Sequence, residues 1–137
     1  MEIHTKIAIV IKNDLLDWQK LNVASFLASS IAIQFPDTHG KLFVNASNST
    51  YLPFINQPII IYKAETQEEM DRAFCRAKDR GLYLGIYPNA LFATKSEAEN
   101  HIEIGKLTDD NQELVGIVIF GEVKKVNKAL NKLKFHG

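Results

Sequence analysis

Polar side chains that can do chemistry gather in the stretch KNDLLDWQKLN, Lys12 to Asn22, which directly follows the first strand-like run of the chain. The ammonium group of Lys20 can contact a phosphate or polarise a carbonyl when it lies at a helix opening near the strand ends, where open α/β sheets commonly bind ligands. The alternative is a solvated lysine in a first helical turn. Lys20 is therefore the candidate catalytic residue.

The neighbours of Lys20 offer further contacts to a ligand. Asp14 and Asp17 can pair with Lys20 or orient it, and both are also favoured helix-capping residues. Trp18 is the only tryptophan, and it can stack on a base, cover a small-molecule pocket, or simply pack against a neighbouring loop. Together with Asn22, which ends the segment, Asp14 and Trp18 are predicted ligand-binding residues.

A second group of polar and aromatic residues stands in PNALFAT, after the third predicted strand. The amide of Asn89 offers two donors and an acceptor, which suits an amide or carboxylate ligand and equally suits a turn after Pro88. If the first and third strands run parallel, Asn89, Phe92 and Thr94 face the same end of the sheet as Lys20. We therefore expect Lys20, Asn89 and Thr94 to converge in one pocket.

A polar stretch of roughly twenty residues separates Ala93 from Gln112 and is longer than a plain connection. Two interpretations remain open, namely a short element hidden in residues 95–112 or a mobile loop near the site. Asn100 and His101, in EAENHIEIG, can close over the site as a lid, although isolated polar residues in a long loop are more often solvated. Asn100 completes the predicted ligand-binding set.

Buried strands must position these residues. Four apolar runs rich in β-branched residues predict strands, and they read KIAIVI, PIIIYKA, LYLGIY and ELVGIVIFG. The short run Leu42 to Asn45 can form an edge strand, and NASNST is typical of a turn, so this part is predicted to be an irregular excursion or a loose hairpin.

Helices alternate with these strands. A long first helix is predicted from about Asp17 to Phe35, because apolar residues recur there at helical spacing. The second helix begins with a capping box of Thr66 and Glu69 and ends at Gly81. An apolar stripe from Val123 to Leu133 predicts the last helix.

The composition fits one α/β domain. A chain of 137 residues, 46% hydrophobic and 23% charged, is long enough for one continuous core, so we expect a single domain of residues 1–137. Alternating strands and helices predict three layers, with a mixed, largely parallel sheet of four strands flanked by helices. No apolar run reaches the ~18 residues of a membrane span, so no membrane contact is expected.

The charge and cysteine content bear on the partners and the location of the protein. Sixteen basic and sixteen acidic residues cancel, so no whole-protein field attracts a polyanion, and tRNA is not the favoured partner. Lysines on the last helix nevertheless form a local basic face, which can follow an RNA backbone or aid solubility. The lone Cys75 and the absence of a signal-peptide pattern in Met1 to Lys12 predict a cytoplasmic protein. Scattered histidines suggest no metal set, and no cofactor is expected.

The order strand, long helix, strand, capped helix, strand, PNA turn, strand, helix resembles the type-2 peptidyl-tRNA hydrolase fold. The stretches that carry this resemblance are KIAIVIKNDL, QKLNVASFLASS, PIIIYKAETQEEMDRAFCRAKDRGLYLGIYPNALFAT and LVGIVIFGEVKKVNKALNKLKF. NDLLDWQKLNVASFLAS, with NALFAT and a downstream EN, looks like an uncharacterised bacterial domain-of-unknown-function family that shares this fold. The resemblance covers most of the chain, except about residues 36–56 and the long loop after Thr94.

The resemblance implies a hydrolase scaffold that lacks most of the catalytic set. The hydrolases carry a pair of lysines around a glycine after the first strand, whereas the matching positions here are Gln19, Lys20 and Leu21. The carboxylate that they place after the third strand corresponds to Asn89, and an amide can neither take a proton nor hold a negative charge. A histidine usual in their first helix corresponds to Ala28.

Two functions of different classes follow. The first is a binding protein that takes a small molecule, peptide or protein in a pocket between segments 14–22 and 89–94. The second is an ester or amide hydrolase related to peptidyl-tRNA hydrolase, with Lys20 as its electrostatic contact. The neutral charge and Asn89 favour binding. A third alternative is a homo-oligomeric regulatory protein, such as a homodimer, without a ligand site.

Overall fold

A computed structural model describes residues 4–137 of the chain. The strands, in chain order, are β1 Thr5–Lys12, β2 Phe43–Val44, β3 Thr50–Tyr51, β4 Ile59–Ala64, β5 Tyr83–Pro88, β6 Leu114–Glu122 and β7 Lys134–Phe135. Five of them form one mixed sheet in the order β5-β6-β1-β4-β7, and β2 and β3 pair as a separate hairpin. The predicted loose hairpin is therefore confirmed.

The helices are α1 Asp17–Gln34, α2 Gln67–Asp79, α3 Glu97–Gly105 and α4 Val123–Ala129. Two short 3-10 helices, Pro36–Thr38 and Asn89–Ala93, follow α1 and β5. No helix among residues 4–137 is both long enough and apolar enough to cross a membrane.

Helices cover both faces of the sheet, which gives the expected three layers. Side chains alternate along β1, so that Ile7, Ile9 and Ile11 pack with α1 while Ala8 and Val10 pack with α2 and α4. Both sets are almost completely buried. This two-sided burial explains why β1 reads as a continuous apolar run rather than as an alternating one.

Two glycines let α1 lie close to the sheet. A Cβ atom at Gly116 of β6 would stand 2.4 Å from Cγ1 of Val23 and 3.2 Å from Cδ1 of Leu27. A Cβ atom at Gly85 of β5 would stand 2.7 Å from Cγ1 of Val118 and 3.0 Å from the hydroxyl of Ser30. Larger residues at these positions would push α1 away from β5 and β6.

The prediction of a largely parallel sheet is wrong. Only β1 and β4 pair in parallel, whereas β1 with β6, β5 with β6, and β4 with β7 pair antiparallel. The reason is the connection between Pro88 and Leu114. The chain leaves β5 and enters β6 at the same end of these two strands. Pro88 pairs with Leu114, and the backbone N–H of Asn89 donates to the carbonyl of Glu113 at 2.9 Å. β6 must therefore run back beside β5.

The prediction of four strands is also wrong, since the sheet has a fifth. The last helix ends at Ala129, earlier than its apolar stripe suggests, and Lys132 then adopts a left-handed conformation with φ 75°. The turn sends the chain into β7, where Lys134 and Phe135 pair with β4. Leu133 packs beside the core even though it lies outside the helix.

The predicted start and end of the second helix agree with the structure. In α2 the Thr66 hydroxyl accepts from the backbone N–H of Glu69 at 3.1 Å, and Gly81 follows the helix with φ 67°. The N-cap at Thr66 and the end at Gly81 are thus confirmed. The reciprocal half of the predicted capping box is not formed, because the Glu69 carboxylate accepts from the backbone N–H of Glu65 at 2.7 Å rather than from that of Thr66. Neither Asp14 nor Asp17 caps α1; instead the Gln19 side chain accepts from the backbone N–H of Leu16 at 3.0 Å.

The stretch 95–112 contains the short element that was one of its two interpretations. Ser96 caps α3 by accepting from the backbone N–H of Glu99 at 3.2 Å. The signal-peptide prediction concerns in part residues 1–3, which lie outside the described residues.

Candidate functional site

A groove of about 730 Å³ lies between α1 and the segment that runs from β5 through the 3-10 helix into α3. Gly85, Ile86 and Tyr87 of β5 form its floor. β5 is an outer strand of the sheet, so three successive residues border the groove along the free edge of the strand. The groove is thus open along one side and closed beneath by the sheet.

Four aromatic side chains form a continuous wall of this groove. The ring of Trp18 meets that of Phe92 edge-on with centroids 5.9 Å apart, Phe92 lies 5.3 Å from Tyr87, and Tyr87 lies 6.2 Å from Phe26. These separations lie in the range of favourable ring–ring contacts, which stabilise a pair by about 0.5–1.5 kcal/mol beyond area burial. We call these four residues the aromatic wall.

α1 presents one row of side chains to the groove. Trp18, Asn22, Phe26, Ser30 and Ile33 follow one another at intervals of three or four residues, so they share one side of the helix. An adjacent side of the helix, about 100° round from this row, carries the buried residues that pack on the sheet. Trp18 and Phe26 are 54% and 58% exposed, so apolar surface there stays open to solvent.

The polar groups of the groove are hydroxyls and amides. The Thr94 hydroxyl donates to the carbonyl of Leu91 at 2.8 Å and also contacts the side chain of Asn100. This pair ties the end of the 3-10 helix to α3. The hydroxyls of Ser29 and Ser30 donate to carbonyls of their own helix at 2.6 Å, which leaves their oxygen lone pairs as acceptors.

The floor residue Tyr87 is 8% exposed, and burial raises the pKa of its phenol above the ordinary value. Burial is the only cause of this shift, and no hydrogen bond joins the phenol to another described residue. The only charged side chains that line the groove among residues 4–137 are the exposed Lys95 and Glu97. The interior is therefore uncharged at neutral pH.

The structure brings five of the predicted site residues together. Trp18 and Asn22 line the groove from α1, and Phe92, Thr94 and Asn100 line it from the other side. The expected juxtaposition arises because β1 and β5 run in the same direction, with the antiparallel β6 between them. His101, the other lid candidate, is exposed and lies 3.5 Å from Glu97.

The other predicted residues lie elsewhere, so the expected convergence of Lys20, Asn89 and Thr94 is wrong. Of these three, only Thr94 lines the groove. Asn89 is exposed at the start of the 3-10 helix. Asp14 is 70% exposed and forms an ion pair with Lys12 at 3.7 Å.

Lys20 belongs to a polar network at the ends of β1 and β4. Its ammonium donates to the side-chain oxygen of Asn13 at 3.1 Å, and the Asn13 amide donates to both oxygens of Glu65 at 3.2 and 3.3 Å. This hydrogen bond from Asn13, and secondarily Lys63, lowers the pKa of the Glu65 carboxyl. Lys20 is bonded within this network and does not line the groove.

Three residues that line the groove were not predicted from the sequence, namely Phe26, Ile33 and Tyr87. The signal for the first two was a second apolar row on α1, because Trp18, Phe26 and Ile33 stand at helical spacing off the buried stripe. Tyr87 gave no such signal, since an aromatic residue within an apolar strand looks like any core residue. Among residues 4–137, no group of three His, Cys, Asp or Glu side chains is placed to hold a metal ion.

The fold and the groove define a mixed α/β protein with an aromatic, uncharged surface groove. Residues 5–137 match the family described as "Protein of unknown function (DUF2000)", and the chain belongs to that family. It is also similar to the solved structure of a protein of unknown function from Agrobacterium, with 30% sequence identity and a TM-score of 0.95. That similarity covers 99% of this chain and 100% of the other. No curated protein matches the chain.

Proposed function

We propose that this protein is a binding protein whose groove takes a small, uncharged, largely apolar molecule with a flat ring system. The observation that carries the proposal is the aromatic wall of Trp18, Phe92, Tyr87 and Phe26 beside an open groove. Flat rings pack on such a wall with favourable offset or edge-on geometry. A peptide or protein with an exposed aromatic side chain would offer the wall the same kind of ring.

The size and polarity of the groove support a small molecule. A volume of about 730 Å³ falls within the range of about 300–1,000 Å³ typical of ligand sites, which combine apolar walls with a few polar groups. Here those groups are the hydroxyl of Tyr87, the serine oxygens and the amide of Asn100. A charged ligand would lose hydration in the groove without gaining an opposite charge inside it.

Trp18 makes the proposal directly testable, because the only tryptophan of the chain stands in the groove. The protein is titrated with N-phenyl-1-naphthylamine, an uncharged aromatic probe, and the tryptophan emission is followed. Saturable quenching is expected, and Phe92→Ala should weaken it by about tenfold, which corresponds to about 1.4 kcal/mol.

The matched control is Phe54→Ala, which removes the same side chain from the exposed region near the hairpin, where Phe54 is 74% exposed. The affinity for the probe should stay within about twofold of the parent protein. Equal losses for Phe92→Ala and Phe54→Ala, or quenching that never saturates, would refute the proposal.

The hydrolase alternative, with Lys20 as its contact and a scaffold like that of type-2 peptidyl-tRNA hydrolases, is the second candidate. It rests on the resemblance and on the position of Lys20 at the carboxyl ends of β1 and β4. Peptidyl-tRNA cleavage by the purified protein, abolished by Lys20→Ala, would favour it over binding. A cytoplasmic location and a single domain belong to both proposals.

A further inference from the structure

The opposite face of the sheet carries a second, smaller cleft with a different character. It lies between α2 and α4, has a volume of about 330 Å³, and is lined by Arg76, Arg80, Asn127, Lys128 and Asn131. Three of these five residues are cationic and none is acidic. The lining of this cleft is therefore positively charged, although the net charge of the chain is zero.

The two guanidinium groups are held in place by backbone carbonyls. Arg80 donates from Nη1 to the carbonyl of Arg76 at 3.2 Å, and Arg76 donates from Nη1 to the carbonyl of Asn131 at 3.4 Å. A guanidinium has five N–H donors, so each of these bonds leaves most of the donors free. The arginines are thus positioned without being neutralised.

No described carboxylate forms an ion pair with Arg76, Arg80 or Lys128. The amide oxygen of Asn127 accepts from the ammonium of Lys6 at 2.8 Å. The two N–H donors of the Asn127 amide are not used in this bond. The side chains of the cleft therefore offer mainly donors and positive charge. Charge complementarity requires an anion.

We propose that this cleft binds the phosphate group of a small phosphorylated molecule. The guanidinium fork matches phosphate oxygens in pairs, and a phosphomonoester carries about −1.5 to −2 charges at pH 7, close to what the three cations can neutralise. The volume is that of about eleven water molecules at about 30 Å³ each, which fits a phosphate and a sugar-sized body. A long nucleic acid would need a longer basic surface than these residues form.

The test is calorimetric titration of the purified protein with ribose 5-phosphate, with inorganic phosphate and with ribose, all at constant ionic strength. Saturable binding is expected for ribose 5-phosphate, weaker binding for inorganic phosphate and none for ribose. Arg76→Gln combined with Arg80→Gln should weaken ribose 5-phosphate binding by at least about tenfold.

Two further variants keep the result interpretable. Lys124→Gln combined with Lys125→Gln removes two charges from α4 at positions that do not line the cleft, and should change the affinity by less than about twofold. Asn127→Asp retains the acceptor for Lys6 but places a negative charge in the cleft, so it should abolish binding even if the arginine variant folds poorly.

Three results would overturn the proposal. The first is the absence of saturable binding by either phosphate probe. The second is an equal loss in the arginine and lysine double variants, since a general surface charge would then explain the binding. The third is preferential binding of single-stranded RNA, weakened as much by the lysine variant as by the arginine variant, which would assign the basic face to a nucleic acid.

Discussion

The groove beside α1 and the cleft between α2 and α4 occupy opposite faces of one sheet and differ in almost every chemical respect. The groove is about twice the volume of the cleft and has an uncharged aromatic interior. The cleft is small and lined by three cations without a carboxylate partner among the described residues. The net charge of zero does not reveal that one surface is cationic and the other uncharged, because net charge is a sum over the whole chain.

The sheet that separates them makes the two surfaces independent. Ile9 packs toward α1 and Val10 toward α2 and α4, so neighbouring residues of one strand support different sites. Changes on one face should leave binding on the other intact, because substitutions at distant sites without shared partners have additive effects. Variants on each face of the sheet test this separation.

Gly116→Ala should destabilise the protein by about 1–3 kcal/mol, because the new Cβ atom would overlap the completely buried Val23 and cannot be accommodated without moving α1. Thermal unfolding measures this loss. Below the unfolding transition, binding of N-phenyl-1-naphthylamine should weaken while ribose 5-phosphate binding persists. Gly105→Ala is the control, since nothing lies within 4 Å of a Cβ atom there; a similar loss of stability in both variants would contradict close packing at Gly116.

Thr94→Val should cost about 0.5–1.5 kcal/mol, because it removes the hydroxyl that bonds the Leu91 carbonyl and contacts Asn100. α3 should then lie less firmly against the groove, and probe affinity should fall with stability. Thr108→Val removes a comparable hydrogen bond, to Asp110 at 2.7 Å, from a position that does not line the groove. Unchanged probe affinity in Thr94→Val would show that this contact does not shape the groove.

Tyr87→Phe should reduce the loss of thermal stability at alkaline pH. Burial raises the folded pKa of Tyr87, so its contribution to stability is complete below the unfolded value of about 10 and is lost as pH rises through the folded pKa. The parent protein should lose thermal stability above about pH 10 more steeply than Tyr87→Phe. The exposed Tyr83 serves as the control, since Tyr83→Phe should leave the steep decline in place. Identical pH profiles for the parent and Tyr87→Phe would exclude this role of burial.

Lys20→Ala should have the smallest effect. The lysine bonds Asn13 in the polar network and does not line the groove, so we expect a loss of at most about 1 kcal/mol and unchanged binding of both probes. A marked loss of N-phenyl-1-naphthylamine binding would mean that Lys20 acts on the groove, which would restore it as a site residue.

Elements specified by local chemistry were predictable from the sequence. Thr66 and Glu69 indicate the start of α2 because capping satisfies backbone donors within a few residues, and Ser96 and Glu99 give the same local signal at the start of α3. β1 is equally clear, since burial on both faces demands a continuous apolar run. Five of the seven predicted ligand-binding residues line the groove because they follow strands that run in one direction.

Features that depend on distant pairing were decided only by the tertiary structure. An apolar run such as β6 can satisfy its backbone hydrogen bonds in either a parallel or an antiparallel position, so the run itself does not specify the direction of the strand. The last strand, Lys134 and Phe135, is too short to form a pattern. The cleft joins Arg76 and Arg80 of one segment to Lys128 of another about fifty residues away, a meeting that exists only once α2 and α4 pack on the same face. Local propensities act over a few residues, whereas the groove and the cleft are built from side chains that only the folded sheet brings together.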